Sequence, residues 1–168
     1  MDSVEEPLTP QQLQNYRLNK PKLLAALKTD ADDLQGRPNA SGKVGLRNQG
    51  ATCYLNSLLQ GLYNTIPFRQ RLYQWKYHPA LHGDESRCIP LQLQRVFARL
   101  QLSKRPAVST KALTASFGWT SSDAFQQHDV QEMLLVLLDA LDRSLALAPD
   151  ANVAADGTPL PSFADILS

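Results

Sequence analysis

Acyl-transfer chemistry needs a nucleophile, an acceptor for its proton and donors for the charge that develops, and few side chains here could supply them. The chain has two cysteines, Cys53 and Cys88, and three histidines, His78, His82 and His128. Only Cys53 has flanks that suit catalysis. In "RNQGATCYLNSLLQGLY" it stands between a glycine-bearing polar loop and an apolar run of helical period. A thiol attacks a carbonyl as the thiolate, and a helix N-terminus stabilises that anion through unpaired N–H groups and partial positive charge. Donors to the developing oxyanion can come from the loop before the nucleophile. Asn48 is the side-chain donor there, and Gly50 permits close approach of the backbone. The same residues have a plain structural reading. Free cysteine is among the most buried residue types, and an asparagine can simply shape a turn. Position alone leaves both readings open.

The elements that must hold these residues are written in apolar periodicity. Leu55, Leu58, Leu59 and Leu62 fall at i, i+3, i+4 and i+7, which predicts a helix starting at Cys53, with Thr52 as its candidate cap and Pro67 as a stop soon after. A second stripe, Leu93, Val96, Phe97 and Leu100, follows Pro90 near a helix start, and a shorter helix is predicted across "STKALTASF". The strongest stripe is Val130, Met133, Leu134, Leu137, Leu138 and Leu141, with Asp129 and Glu132 near the positive end of that helix. It must pack on an apolar surface, most economically the Cys53 helix. His78 and His82 lie either side of Pro79 in a segment read as loop, where exposed, uncommitted histidines are expected.

Composition narrows the functional classes. At 168 residues the chain suits one domain with tails. A net charge of +1 lacks the basic excess of nucleic-acid or acidic-lipid binders, so neither nucleic acid nor membrane is expected as a partner. Two cysteines without a C-x-x-C pair make neither a disulfide framework nor a self-sufficient zinc site, so no metal or cofactor is expected. The opening "MDSVEEPLTPQQLQ" is acidic and lacks a signal peptide's apolar region, which points to the cytoplasm or nucleus. Three stretches are expected: a polar linker over 1–42 with Pro7, Pro10, Pro21 and Pro38 and room for one or two short helices, a helical unit over 43–143, and a loop or frayed tail over 144–168 with room for a new start at Phe163.

"VGLRNQGATCYLNSLLQ" closely resembles the cysteine box of the ubiquitin-specific proteases, papain-like deubiquitinases that cleave after the C-terminal glycine of ubiquitin. "FGWTSSDAFQQHDVQEMLLVLLDAL" resembles the glutamine-containing box of the same family in its HAUSP-like form, and "IPLQLQRVFARLQ" and "KALTASFGW" are similar to that subgroup as well. The likeness runs from Lys43 to Arg143 in the family's order. Two long motifs in sequence are far more specific than any short cysteine pattern.

The resemblance implies an α+β papain-like cysteine protease fold, of which this chain holds mainly the helical thumb half and is itself mostly α. It makes Cys53 the nucleophile and Asn48 the oxyanion-stabilising amide. It sets Gln127, Asp129 and Gln131 along the channel for the ubiquitin tail, where the Asp129 carboxylate suits a tail arginine. Position alone equally allows Asp129 to be a first-turn charge and Gln131 a solvated helix residue. Leu55 replaces the family's methionine with little change of volume, and Trp119 reads as a core anchor. The family's base is a histidine oriented by Asp or Asn, from a box beyond the second motif. His78, His82 and His128 do not stand in that context, and the family's tail channel claims the position of His128, so no base is assigned. Two functions follow. One is a cysteine deubiquitinase working through a thioester on ubiquitin and ubiquitinated proteins, represented by an incomplete catalytic domain whose stretch 144–168 is similar to a truncated entry to the family's fingers. The other is a non-catalytic helical module that binds ubiquitin or another partner.

Overall fold

The computed structural model describes residues 43–103, 105–119, 129–147, 153 and 157–168. The polar stretch 1–42, Gln127 and His128 lie outside the described residues. In chain order the elements are β1 (Gly45–Leu46), α1 (Cys53–Asn64), α2 (Ile66–Gln74), α3 (Pro79–His82), a 3-10 turn (Glu85–Arg87), α4 (Ile89–Leu102), β2 (Ala107–Val108), α5 (Lys111–Ser116), α6 (Val130–Ala146) and α7 (Phe163–Leu167). Among the described residues the chain is mostly helical. Its small sheet pairs β1 with β2 in parallel, Gly45 opposite Ala107 and Leu46 opposite Val108.

The Cys53 helix forms at its expected start and buries Leu55, Leu59 and Leu62. Pro67 behaves differently from the expected stop. Thr65 turns extended after Asn64, and Pro67 sits in the first turn of α2. A proline lacks only an N–H that a first turn leaves unpaired anyway, so it starts a helix as readily as it ends one. The helix it starts buries Phe68, Arg71 and Leu72.

At the centre, α4 buries Leu93, Val96, Phe97 and Leu100 and packs on α2, α5 and α6. Tyr63 of α1 meets Phe97 edge-on, with ring centroids 5.4 Å apart. Gln94 Nε2 donates to the carbonyls of Leu72 and Trp75 at 2.6 and 2.8 Å. These bonds satisfy acceptors that the end of α2 would otherwise leave unpaired.

As expected, α6 packs on α1, and it also packs on α4. Its buried line is Met133, Leu137, Leu141 and Leu145, while Val130 at the helix start is 44% exposed. Leu134 and Leu138 lie half-buried at the side of that line.

Two expectations are corrected. The stretch from 144 was read as a loop or frayed tail, yet α6 runs to Ala146 and α7 docks on the core. Phe163 is fully buried against Phe68, with centroids 5.1 Å apart. The Asp142 carboxylate accepts from the N–H groups of Phe163 (2.8 Å) and Ala164 (3.4 Å), and Ser162 with Asp165 forms a capping box. Arg71 Nε donates to the Pro161 carbonyl at 3.1 Å. One buried aromatic residue, a capping box and bonds from Asp142 and Arg71 hold this segment, none of which registers as periodicity.

The second correction concerns His82, which is committed rather than free. Its Nδ1 accepts from the His78 N–H at 2.9 Å, its Nε2 lies 3.4 Å from the Ser144 carbonyl, and its ring sits 4.8 Å from the Trp75 ring. A loop reading misses this because α3 forms one short turn that turns the ring back onto Trp75 and α6.

Candidate active site

The loop that leads into Cys53 is fastened at several points. Arg47 N–H donates to the Val108 carbonyl at 2.9 Å, continuing the pairing of β1 with β2. Asn56 Nδ2, one turn into α1, donates to the Arg47 carbonyl at 3.3 Å. Gln49 reaches across to α5. Its Nε2 donates to Thr110 Oγ1 at 2.6 Å, and its Oε1 accepts from Thr114 Oγ1 at 3.3 Å. Gly50 has φ of 114°, in the region that a Cβ disfavours, and lets the chain turn from the clamp into the helix.

Thr52 occupies the N-cap position as expected, but it makes no side-chain capping bond. Its hydroxyl faces back into the loop, accepting from Gln49 N–H at 2.9 Å and donating to Asn48 Oδ1 at 2.8 Å. The helix still closes its first backbone bond, Asn56 N–H to the Thr52 carbonyl at 3.0 Å. The Asn48 carbonyl oxygen is therefore engaged. Its Nδ2 has no hydrogen bond among the described residues and is left as a donor on an exposed residue.

Cys53 is the first residue of α1 and is exposed. No acidic residue lies in the first turn of that helix to oppose a thiolate. The buried-thiol reading describes the other cysteine. Cys88 is buried at the head of α4, and burial pushes its thiol pKa up against smaller lowering effects of a Leu91 backbone hydrogen bond and the Arg95 charge. Both cysteines stand at helix starts, and accessibility is what separates them.

Asp129 caps α6, its Oδ1 accepting from Gln131 N–H at 2.7 Å. It and Gln131 are both exposed, and among the described residues no hydrogen bond joins either to the Cys53 loop. Asn48 is bonded to Thr52, the residue before Cys53, while Asp129 and Gln131 mark the start of the helix packed beside α1. Close to that start, Phe117, Trp119, Glu132, Met133 and Val136 line a cleft of about 240 Å³. Trp119 packs against the core and against Phe117, with centroids 5.8 Å apart, and lends a face to this cleft. Among the described residues no three His, Cys, Asp or Glu side chains gather into a metal site.

Sequence reasoning missed Gln49, Thr110 and Thr114 entirely and gave Thr52 the wrong partner. Gln49 lies 61 residues from Thr110, and nothing local announces that pairing. Thr52 did carry a signal, its place before a helix, but that signal suggests a cap rather than a bond to Asn48.

Known proteins bear on this geometry. The model of the family described as "Ubiquitin carboxyl-terminal hydrolase" matches residues 44–159. "Ubiquitin carboxyl-terminal hydrolase 47" of Drosophila melanogaster is 46% identical over 129 residues, covering 77% of this chain and 8% of the relative. The human protein of the same name is 53% identical over 113 residues, covering 67% of this chain and 8% of the relative. "Ubiquitin carboxyl-terminal hydrolase 15" of Saccharomyces cerevisiae is 47% identical over 109 residues, or 65% of this chain and 8% of the relative. The chain thus spans a small fraction of the length of the curated relatives it matches.

Proposed function

The chain belongs to the ubiquitin carboxyl-terminal hydrolase family, and on that premise we propose that it carries the nucleophile of a cysteine deubiquitinase. Residues 43–143 are the helical thumb part of a papain-like catalytic domain in this reading. The Cys53 thiolate adds to the carbonyl carbon of ubiquitin's last glycine, and the resulting oxyanion collapses with expulsion of the amine, which takes up the proton that the thiol gave up. Water then adds to the thioester, the second oxyanion collapses, and the thiol and the ubiquitin carboxylate are released. Asn48 donates to both oxyanions. Gln127, Asp129 and Gln131 bind the ubiquitin tail, Asp129 through the carboxylate oxygen that its capping bond leaves over.

One observation carries most of this reading. An exposed cysteine opens α1 without a carboxylate in its first turn, and Asn48, bonded to the residue before it, has its carbonyl engaged and its NH2 without a partner among the described residues. The base is not assigned to His82, whose ring nitrogens already face the His78 N–H and the Ser144 carbonyl. Ubiquitin carrying an electrophile in place of its C-terminal carboxylate tests the proposal on this chain. The expected result is a covalent adduct that Cys53→Ala abolishes and Cys88→Ala leaves intact. An adduct that survives Cys53→Ala, or failure to label by both this chain and a longer product that includes it, would overturn the catalytic reading and favour a non-catalytic ubiquitin-binding module.

A further inference from the structure

We propose that Thr52 is a positioning residue for oxyanion stabilisation: its hydroxyl proton, held on Asn48 Oδ1, turns the Asn48 NH2 outward, and the Gln49 clamp on α5 keeps that hydroxyl in place. The proposal rests on the assignment of Cys53 and Asn48 above and adds the device that orients the donor.

A hydroxyl has one proton and two lone pairs. The Gln49 N–H occupies a lone pair of Thr52 Oγ1 at 2.9 Å. Thr52 is fully buried, so its proton cannot be passed to bulk water. The acceptor provided is Asn48 Oδ1 at 2.8 Å. Turning the amide over would place an N–H group against the hydroxyl and leave a buried proton without an acceptor, which is the costly arrangement. Thr52 therefore selects one orientation of Asn48, the one with the NH2 free. Accepting a hydrogen bond at the carbonyl also polarises the amide and strengthens its N–H groups as donors.

What Thr52 forgoes supports this role. A threonine before a helix ordinarily accepts from an N–H of the first turn, and here no such bond exists. Instead the hydroxyl serves the loop, and the first-turn N–H groups beside Cys53 receive no side-chain cap. The Gln49 N–H that completes the arrangement is held by its own side chain between Thr110, just before α5, and Thr114 on α5. The chain of bonds thus runs from α5 through Gln49 and Thr52 to the Asn48 amide.

The test compares Thr52→Val, which keeps the branched shape and removes the proton, with Thr52→Ser, which keeps the hydroxyl. Turnover of ubiquitin carrying a fluorogenic C-terminal amide should fall in T52V by about tenfold to hundredfold in kcat, less than the roughly 10²–10³ that loss of an oxyanion donor itself costs. KM should change by less than about twofold, since uniform binding is untouched, and T52S should restore most of kcat. In an Asn48→Ala background T52V should cost less than about a further twofold, because its effect runs through Asn48. Losses that multiply in that background would show a merely structural role and overturn the proposal. A readout free of turnover separates the two claims. The NMR order parameter of the Asn48 side-chain amide should fall in T52V and hold in T52S. If the wild-type chain shows no Cys53-dependent turnover, the amide signal alone decides the positioning claim. An Asn48 amide as ordered in T52V as in wild type overturns it, and Thr52→Ala replaces T52V in each comparison if the valine variant does not fold.

Discussion

Gln49→Ala removes the tether between the nucleophile loop and α5, and its cost can be worked from two bonds. The first is Nε2 to Thr110 Oγ1 at 2.6 Å, made to a residue with 0% exposure. Losing it removes roughly 1 kcal/mol of net hydrogen bonding and adds about another 1 kcal/mol for a hydroxyl left buried without this partner. The second, Thr114 Oγ1 to Gln49 Oε1, is longer at 3.3 Å, and Thr114 also lies 3.0 Å from the Lys111 carbonyl, so its loss adds little. The expected destabilisation is therefore about 2 kcal/mol, or a drop in Tm of roughly 4–8 °C for a domain of this size. Urea unfolding followed by tryptophan fluorescence measures it as a shift of midpoint at unchanged slope. The sharper version is a cycle with Thr110→Val. Once Gln49 is gone the orphaned hydroxyl can be removed at little cost, so the double variant should be more stable than the sum of the singles by about 1 kcal/mol. Additive losses, or a Gln49→Ala cost below about 0.5 kcal/mol, would refute the clamp as a stabilising contact.

Thiol accessibility gives a second expectation: an alkylating reagent should modify Cys53 in the native chain and reach Cys88 only on unfolding, as peptide mass mapping would report. Burial raises the Cys88 pKa in the folded chain, so the folded state holds its proton longer than the unfolded state does. Stability from this group is complete below the ordinary thiol value and declines as pH rises from there towards the folded value, a slope that Cys88→Ala should remove in unfolding curves taken across the alkaline range. Asp142→Ala should cost about 1 kcal/mol in urea unfolding, because its carboxylate accepts from the first two N–H groups of α7. Phe163→Ala should cost about 3–5 kcal/mol in the same assay, since its ring is fully buried against Phe68. A loss near zero would mean that α7 is not part of the core.

The helices were legible where apolar residues recur every turn. The stripe from Leu55 to Leu62, the one from Leu93 to Leu100 and the core of the stripe after Asp129 all became buried faces. Proline was ambiguous, because Pro67 starts α2 on the same physics by which it could have ended α1. In the tail after Arg143 only a new start at Phe163 was legible, and not its docking, since Phe163 becomes a core residue only once α2 and α6 have made a surface for it. His82 was misread for a similar reason, its partners being Trp75 and a carbonyl 62 residues away. At the candidate site the sequence singles out Cys53, Asn48 and Asp129, and the structure adds what the Asn48 and Asp129 side chains are bonded to. For Asp129 that is its own helix start, through Gln131 N–H.

By itself the sequence determined the phase of the main helices, the place of Cys53 at the head of one of them, and the two long motifs of the family to which the chain belongs. Those properties are local, carried by spacing over a few turns or by contiguous wording. Only the tertiary structure decided that Cys53 is exposed while Cys88 is buried, although both open a helix. It also decided that Thr52 bonds Asn48 instead of capping α1, and that Gln49 is held by threonines 61 and 65 residues further on. A polar group removed from water must find a partner wherever packing brings one. The partner's identity therefore depends on how the helices meet, which no stretch of the chain specifies alone.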